Sequence, residues 1–215
     1  MTDVNTCSPN DPHAEPLHAM SGRDGKSLIA VEEVTERLIP ADLDDLCDAT
    51  GAAIMNGGGF GWITPPPTET LERFWSGVVA MPGRTLFIGR LDGVVCGSAQ
   101  LLRPHRNNEA QAHNATLISA FVAPWARAHG ISAVLAAAVE QKARAEGYRF
   151  LSLDVRETQS RAIQVFQRRG YRRWGINPCY AQVGDNMIAG HHYLKALTPA
   201  AEQQLARLLP ERGGR

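Results

Sequence analysis

The chain has 215 residues, and its 22 Lys and Arg offset its 22 Asp and Glu to a net charge of zero. Nucleic acids and anionic membrane surfaces reward a clustered basic excess, so bulk charge points to neither as a partner. A hydrophobic share of 44% against 20% charged residues suits one globular domain with a sizeable core.

Residues 1–27 are polar and broken by Pro9, Pro12 and Pro16, which predicts a loose arm ahead of a domain over 28–197 and a tail over 198–215. The opening stretch MTDVNTCSPNDPHAEPLH has neither a basic n-region nor an apolar h-region, and the apolar runs near Phe121 and Val134 are split by Arg127 and His129. A cytoplasmic protein with no membrane span is the expectation. Cys7, Cys47, Cys96 and Cys179 form no C-x-x-C pair, so neither a zinc site nor a disulfide scaffold is expected.

SLIAVEEVTERLI predicts a strand, and Pro40 opens a helix running to about residue 56, with Asp42 placed to accept from its first-turn amides. Leu43, Leu46, Cys47, Thr50, Ala53 and Ile54 give that helix one apolar face, and Gly57, Gly58 and Gly59 end it. FGWITPPP is a stiff connection that is neither helix nor central strand. A second helix over 68–81 carries Leu71, Phe74, Trp75, Val78 and Val79 inward. TLFIGRL and VVCGSAQLL flank Asp92-Gly93, whose tolerance of positive φ predicts a hairpin.

After the polar loop RPHRNNEAQAHN, the apolar run ATLISAFVA predicts a strand covered on both faces. A long helix over 128–146 follows, then strand YRFLSLDV, a shorter helix in TQSRAIQVFQRR, a strand at YRRWG and a last strand around HHYLKAL. Strand, long helix, strand is a crossover, so at least two strands are expected to be parallel while the earlier hairpin is antiparallel.

The stretch FVAPWARAHGIS carries the strongest chemical signal. A buried strand passes through a short loop into a helix N-terminus, where unpaired amides, the helix dipole, Gly130 and the Arg127 charge favour a phosphate or pyrophosphate. Strand-loop-helix junctions also occur throughout α/β proteins without any ligand, so spacing alone leaves the loop open.

ISAFVAPWARAHGIS is similar to motif A of the GCN5-related N-acetyltransferases, an apolar strand followed by [QR]-x-x-G-x-[GA], and LSLDVRETQSRAIQVFQRRGYRRWG resembles their motif B. With the element order, the resemblance covers about 28–197. The end pattern WGINPCYAQVGDN…HHYLKAL and the stretch ISAFVAPWARAHG look closest to the subgroup that includes the tabtoxin resistance protein. The resemblance implies an α/β fold with a mixed, strongly twisted sheet, antiparallel N-terminal strands, a parallel central pair and flanking helices. It implies acetyl-CoA as co-substrate, no metal, and transfer to a primary amine, a small molecule rather than a protein.

Carried over residue by residue, the resemblance implies that Phe121 and Val122 offer backbone groups to the pantetheine and thioester. The amides of Arg127, Ala128, His129, Gly130, Ile131 and Ser132 would hold the pyrophosphate, and Gln159 would bond the pantetheine or its phosphate end. Ser132 stands where Gly or Ala is usual. Phe166 stands beside the coenzyme where many members have a Tyr that protonates the leaving thiolate, and a phenyl ring has no proton to give.

An amine attacks a thioester only when neutral, so a base is needed. Asp154, near the end of LSLDV, is the first candidate on the premise of partial burial, against a role in bonding loop amides; Glu157 is the weaker one. The resemblance implies Tyr180 in NPCYA as the substitute acid, since the resembling subgroup also places a tyrosine after a proline there and a phenol can both donate and accept, with packing as its alternative. Cys179 reads as an inert thiol, and His191 and His192 alternate faces, which prevents both from gripping one metal. Phe60 and Trp62 are candidates for the acceptor side, whereas Trp75 on its helical face reads as core. Two further readings stay open: a catalytically silent acyl-CoA-binding module, and an interaction domain without coenzyme. A homodimer through the C-terminal strand region also stays open.

Overall fold

A computed structural model describes residues 18–20, 27–58 and 60–209. The arm expected over 1–27 and the end of the tail lie for the most part outside the described residues. Within the arm, β1 (His18–Met20) pairs antiparallel with β2 (Ile29–Val34), which is shorter than the 27–39 expected.

α1 (Pro40–Met55) and α2 (Thr68–Ala80) come next, then β3 (Arg84–Leu91) and β4 (Val94–Leu102). The latter two form the expected hairpin, with Asp92 at φ 51° and Gly93 at φ 90°. β5 (Asn114–Val122), α3 (Ile131–Ala145), β6 (Phe150–Arg156), α4 (Ser160–Arg168), β7 (Arg172–Val183), β8 (Asn186–Ala196) and α5 (Pro199–Leu208) complete the order. Among the described residues the strands form one sheet in the order β1-β2-β3-β4-β5-β6-β8-β7, parallel only between β5 and β6. This is the mixed α/β architecture expected, its parallel pair produced by the α3 crossover.

The middle of the sheet, at β3 and β4, is buried from both sides. On β3, Leu86 and Ile88 face α1 and α2 in a cluster with Leu46, Ala53, Leu71 and the fully buried Trp75, while Phe87 faces the α3 cluster of Ile131, Leu135 and Val139. This alternation is the strand period of two acting between two helical layers. Trp75 is core as its helical face predicted, and its indole N–H donates to Thr50 Oγ at 3.1 Å. α5 turns part of the tail into structure by packing Ala201 and Leu205 on Phe150.

Three local expectations are corrected. Asp42 does not cap α1; its carboxylate takes two bonds from Arg90 at 2.7 and 2.8 Å, and the helix starts on Pro40 without a side-chain cap. α3 starts at Ile131 and not at 128, because Ala128 at φ 71° and Gly130 at φ 85° are left-handed and cannot continue a right-handed helix. The last two strands are longer than YRRWG and HHYLKAL: they form a hairpin turning at Gly184, φ 59°. Pro178 fits in β7 because β7 is an edge strand and the register slips between Asn177 and Ala181.

Candidate active site

β5 and β6 pair over only Asn114–Phe150, Ala115–Leu151 and Thr116–Ser152, then part. The cause sits in β5. Ile118 faces Gln100 and Phe121 faces Ser98, so β5 spends one residue more than β4 over this stretch, and Ser119 is left-handed at φ 50°. Such a bulge bends its strand, and here it opens a gap in the middle of the sheet.

Two cavities meet in that gap. The larger, about 760 Å³, runs from Phe121 and Val122 past Arg127, Ala128, Gly130, Ile131 and Ser132 to Arg161 and Arg168. The smaller, about 440 Å³, is lined by Phe60, Ile63, Asp154, Arg156, Tyr180 and Gln182 among others. Ala120, Gln159, Ala162 and Phe166 line both and mark where they join.

The larger cavity gathers cations and helix amides. No side chain caps α3, so its first amides point at the groove with the positive end of the dipole. Burial, and then the neighbouring Arg161 charge, hold the Arg127 guanidinium below its ordinary value. Arg127 also bonds the Val122 carbonyl at 3.3 Å and the Asn56 side chain. His129 is not on the groove wall: its Nδ1 lies 3.0 Å from the Arg127 carbonyl and 3.3 Å from that of Ala126, so the ring braces the loop. Ala123 N–H donates to Cys96 of β4 at 2.7 Å. Alternation therefore turns the Val122 N–H, and not that of Phe121, toward the gap.

The smaller cavity brings together the two residues picked from sequence for acid–base chemistry. The Tyr180 hydroxyl donates to Asp154 Oδ2. Burial, and then this bond, push the Tyr180 phenol up to about 12, so it stays protonated across the neutral range. Asp154 is exposed and not partly buried, so position and not burial supports its candidacy. The Tyr180 ring lies on Gly190, where an added Cβ would come within 2.2 Å of the ring carbon Cγ. Glu157 is committed elsewhere: its Oε1 accepts from Ala189 N–H at 3.2 Å.

Phe166 is buried at the junction and meets Tyr171 edge-on at 5.5 Å between centroids. Phe60 packs in the aromatic cluster with Phe121 at 4.9 Å, and Trp62 rests against Phe74 at 5.1 Å. Cys179 is an exposed free thiol, and His191 and His192 lie on opposite faces of β8. Among the described residues no group of three or more His, Cys, Asp or Glu is placed to hold a metal ion, and no helix is long and apolar enough to cross a membrane. Reading the sequence alone missed Arg156. The signal was available in the two-residue spacing from Asp154, which puts both on one strand face.

Comparison with known proteins agrees with this geometry. The model of the acetyltransferase (GNAT) family matches residues 53–171, more than half of the chain. An uncharacterised N-acetyltransferase of Azospirillum brasilense, from the hisH–hisA intergenic region, is 59% identical over 133 residues, 62% of this chain and 79% of that protein. Among solved structures, an N-acetyltransferase from Staphylococcus aureus Mu50 aligns with a TM-score of 0.66 at 19% identity, over 78% of this chain and 99% of that one. The yncA protein of Salmonella typhimurium, solved with its cofactor acetyl-CoA, aligns at 0.64 and 13% identity, over 80% and 95%. A split parallel pair, an uncapped helix N-terminus at its mouth and these matches carry one conclusion: the chain belongs to the GNAT family of acetyltransferases, enzymes that use acetyl-CoA.

Proposed function

We propose that this chain acetylates a primary amine of a small molecule, with the coenzyme in the larger cavity and the acceptor in the smaller. The observation that carries the reading is the junction at Ala120, Gln159, Ala162 and Phe166, which joins a phosphate-type groove to a compartment holding the Asp154–Tyr180 pair. The larger cavity fits the coenzyme by volume and by donor set, since it holds Arg127, Arg161, Arg168 and the amides of α3. Bound there, acetyl-CoA supplies an activated acetyl group that an amine attacks directly.

The chain supplies the rest. The Val122 N–H is the donor free to polarise a carbonyl in the gap. Asp154 removes the proton that keeps the acceptor amine cationic, and Tyr180 presents its Oη proton where Phe166 has none. The end pattern of β7 and β8 supports placing the chain nearest the subgroup that includes the tabtoxin resistance protein.

Thermal unfolding tests the coenzyme site. Acetyl-CoA at about a hundred times its Kd stabilises the native state by about 2.7 kcal/mol, which raises Tm by roughly 5–10 °C for a chain of this size. Gly130→Val is expected to abolish that rise, because Gly130 sits at φ 85° and a β-branched residue there distorts the loop. No rise for the unaltered protein overturns the assignment.

For assembly we propose a homodimer across the outer edge of β7, where Trp174 and Ile176 are exposed on an edge with no neighbour among the described residues. A long edge strand that exposes large apolar side chains invites pairing. Sedimentation is expected to give a dimer that Ile176→Lys dissociates; a monomer for the unaltered chain refutes it.

A further inference from the structure

We propose that the acceptor is an amine that also carries a carboxylate, and that Arg156 is the residue that selects it. The inference rests on the amine-acetyltransferase reading and adds the substrate class. Asp154 and Arg156 are two apart on β6, so both side chains leave the same face of the strand, with backbones about 6.5–7 Å apart. Both line the smaller cavity, and among the described residues they are its only charged lining groups. The remaining wall is apolar, as with Phe60, Ile63 and Leu117, or neutral and polar, as with Gln182.

Arg156 has no part in the coenzyme groove, whose cations are Arg127, Arg161 and Arg168. Its Nη2 donates to the Phe60 carbonyl at 2.5 Å, and no carboxylate among the described residues pairs with it. A guanidinium has five N–H donors in a planar fork. One bond to a neutral carbonyl fixes its position, leaves most of the fork free and leaves the cation without an ion-pair partner among the described residues. A carboxylate fills such a fork in the bidentate manner that Arg favours.

The two charges also impose a polarity on the compartment. An acceptor ammonium beside Asp154 stands in the repulsive field of Arg156 unless the same molecule brings an anion. A zwitterion removes that conflict; a simple amine does not. The cavity therefore discriminates by an unpaired cation as well as by an attractive contact, which is how charge selectivity is commonly built.

The test is acetyl transfer at saturating acetyl-CoA to matched sets: the proteinogenic primary amino acids, their carboxamides and their decarboxylated amines. For the best side chain, kcat/KM of the acid is expected to exceed that of its partners by about ten- to a hundredfold, the range of a hydrogen bond to a charged group. Arg156→Gln retains an amide that can donate to the Phe60 carbonyl but loses the charge, so the acid-to-amide ratio falls toward one, chiefly through KM for the acid. Arg156→Lys keeps part of the preference. Carboxylate-free amines turned over as well or better by the unaltered enzyme overturn the inference and leave the amine acetyltransferase standing. A Gln variant that slows every acceptor alike assigns Arg156 to holding the loop at Phe60 and overturns it too. No turnover of any amine by a protein that binds acetyl-CoA removes both readings.

Discussion

Tyr180→Phe is expected to lower kcat for amine acetylation by about two to four orders of magnitude, the usual weight of a positioned acid or base, with coenzyme affinity unchanged. The phenol at about 12 is by itself too weak an acid to protonate a thiolate whose conjugate thiol lies near 8.5. Its bond to Asp154 resolves this. Once Asp154 has taken a proton from the acceptor amine, the phenol can give up its own and be refilled from the carboxyl group, so the net donor is a carboxylic acid. The two residues then act as a unit. Asp154→Asn alone, Tyr180→Phe alone and the double variant should all lie near the same residual rate, because groups that act together are non-additive. Independent, additive losses refute the relay. Ionisation of Tyr180 should cost no activity until pH approaches 12. Enlarging Gly190 gives an orthogonal check: Gly190→Ala pushes on the Tyr180 ring and should lower kcat without touching either polar atom.

The parts of this molecule that were readable from sequence are those where packing imposes a period. β3 and β4 are apolar because both faces are covered, whereas β5, expected to be covered on both faces, alternates and is open at its bulge; α2 and α3 repeat at helical spacing because one face is buried, and Asp92-Gly93 marks a turn that few other pairs permit. The β7–β8 hairpin was read too short because its outer strand is an edge. Exposed Trp174 and Ile176, with Pro178 in a register slip, obey no inside-outside alternation. Asp42 was misassigned because a local rule for helix entry competes with a distant guanidinium, and Arg90 is 48 residues away. The same limit hid Arg156. Strand spacing tells that it shares a face with Asp154, but only the bulge at Ser119 decides that this face opens into a cavity. Asp154 is legible from the chemistry a base needs and Tyr180 from the resemblance of NPCYA to the subgroup; that one bonds the other depends on the β7 slip, which no sequence spacing encodes.

Glu140→Ala is expected to destabilise the fold by about 3–5 kcal/mol, the cost of removing one partner from a buried ion network, and to lower Tm by roughly 6–20 °C. Glu140 on α3 is 1% exposed, yet it is charged. Arg169, at the end of α4, grips both carboxylate oxygens at 2.9 Å, and Lys195 of β8 adds a bond at 2.6 Å. Burial opposes its ionisation, but the bonds from Arg169 and Lys195 outweigh that and hold the carboxyl below its usual range. A folded value below the unfolded one means the stabilisation is complete above the unfolded glutamate pKa of about 4.3. It is lost as pH falls through the folded value, so Glu140→Gln should flatten the stability profile over that acid interval. The desolvation cost of one buried and two partly buried charges is real, and their collective removal should therefore be gentler than the loss of one. Glu140→Leu, Arg169→Leu and Lys195→Met combined should unfold closer to the unaltered protein than Glu140→Ala does, because no cation is left buried without a partner. A triple variant as damaged as the single one would show that packing, not charge, sets the loss. The network matters to the site because it joins α3 and α4, which wall the larger cavity, to the strand that carries Gly190 beneath Tyr180. Chemical unfolding of the variants, followed with and without acetyl-CoA, reads the stability loss and any loosening of the groove in one experiment.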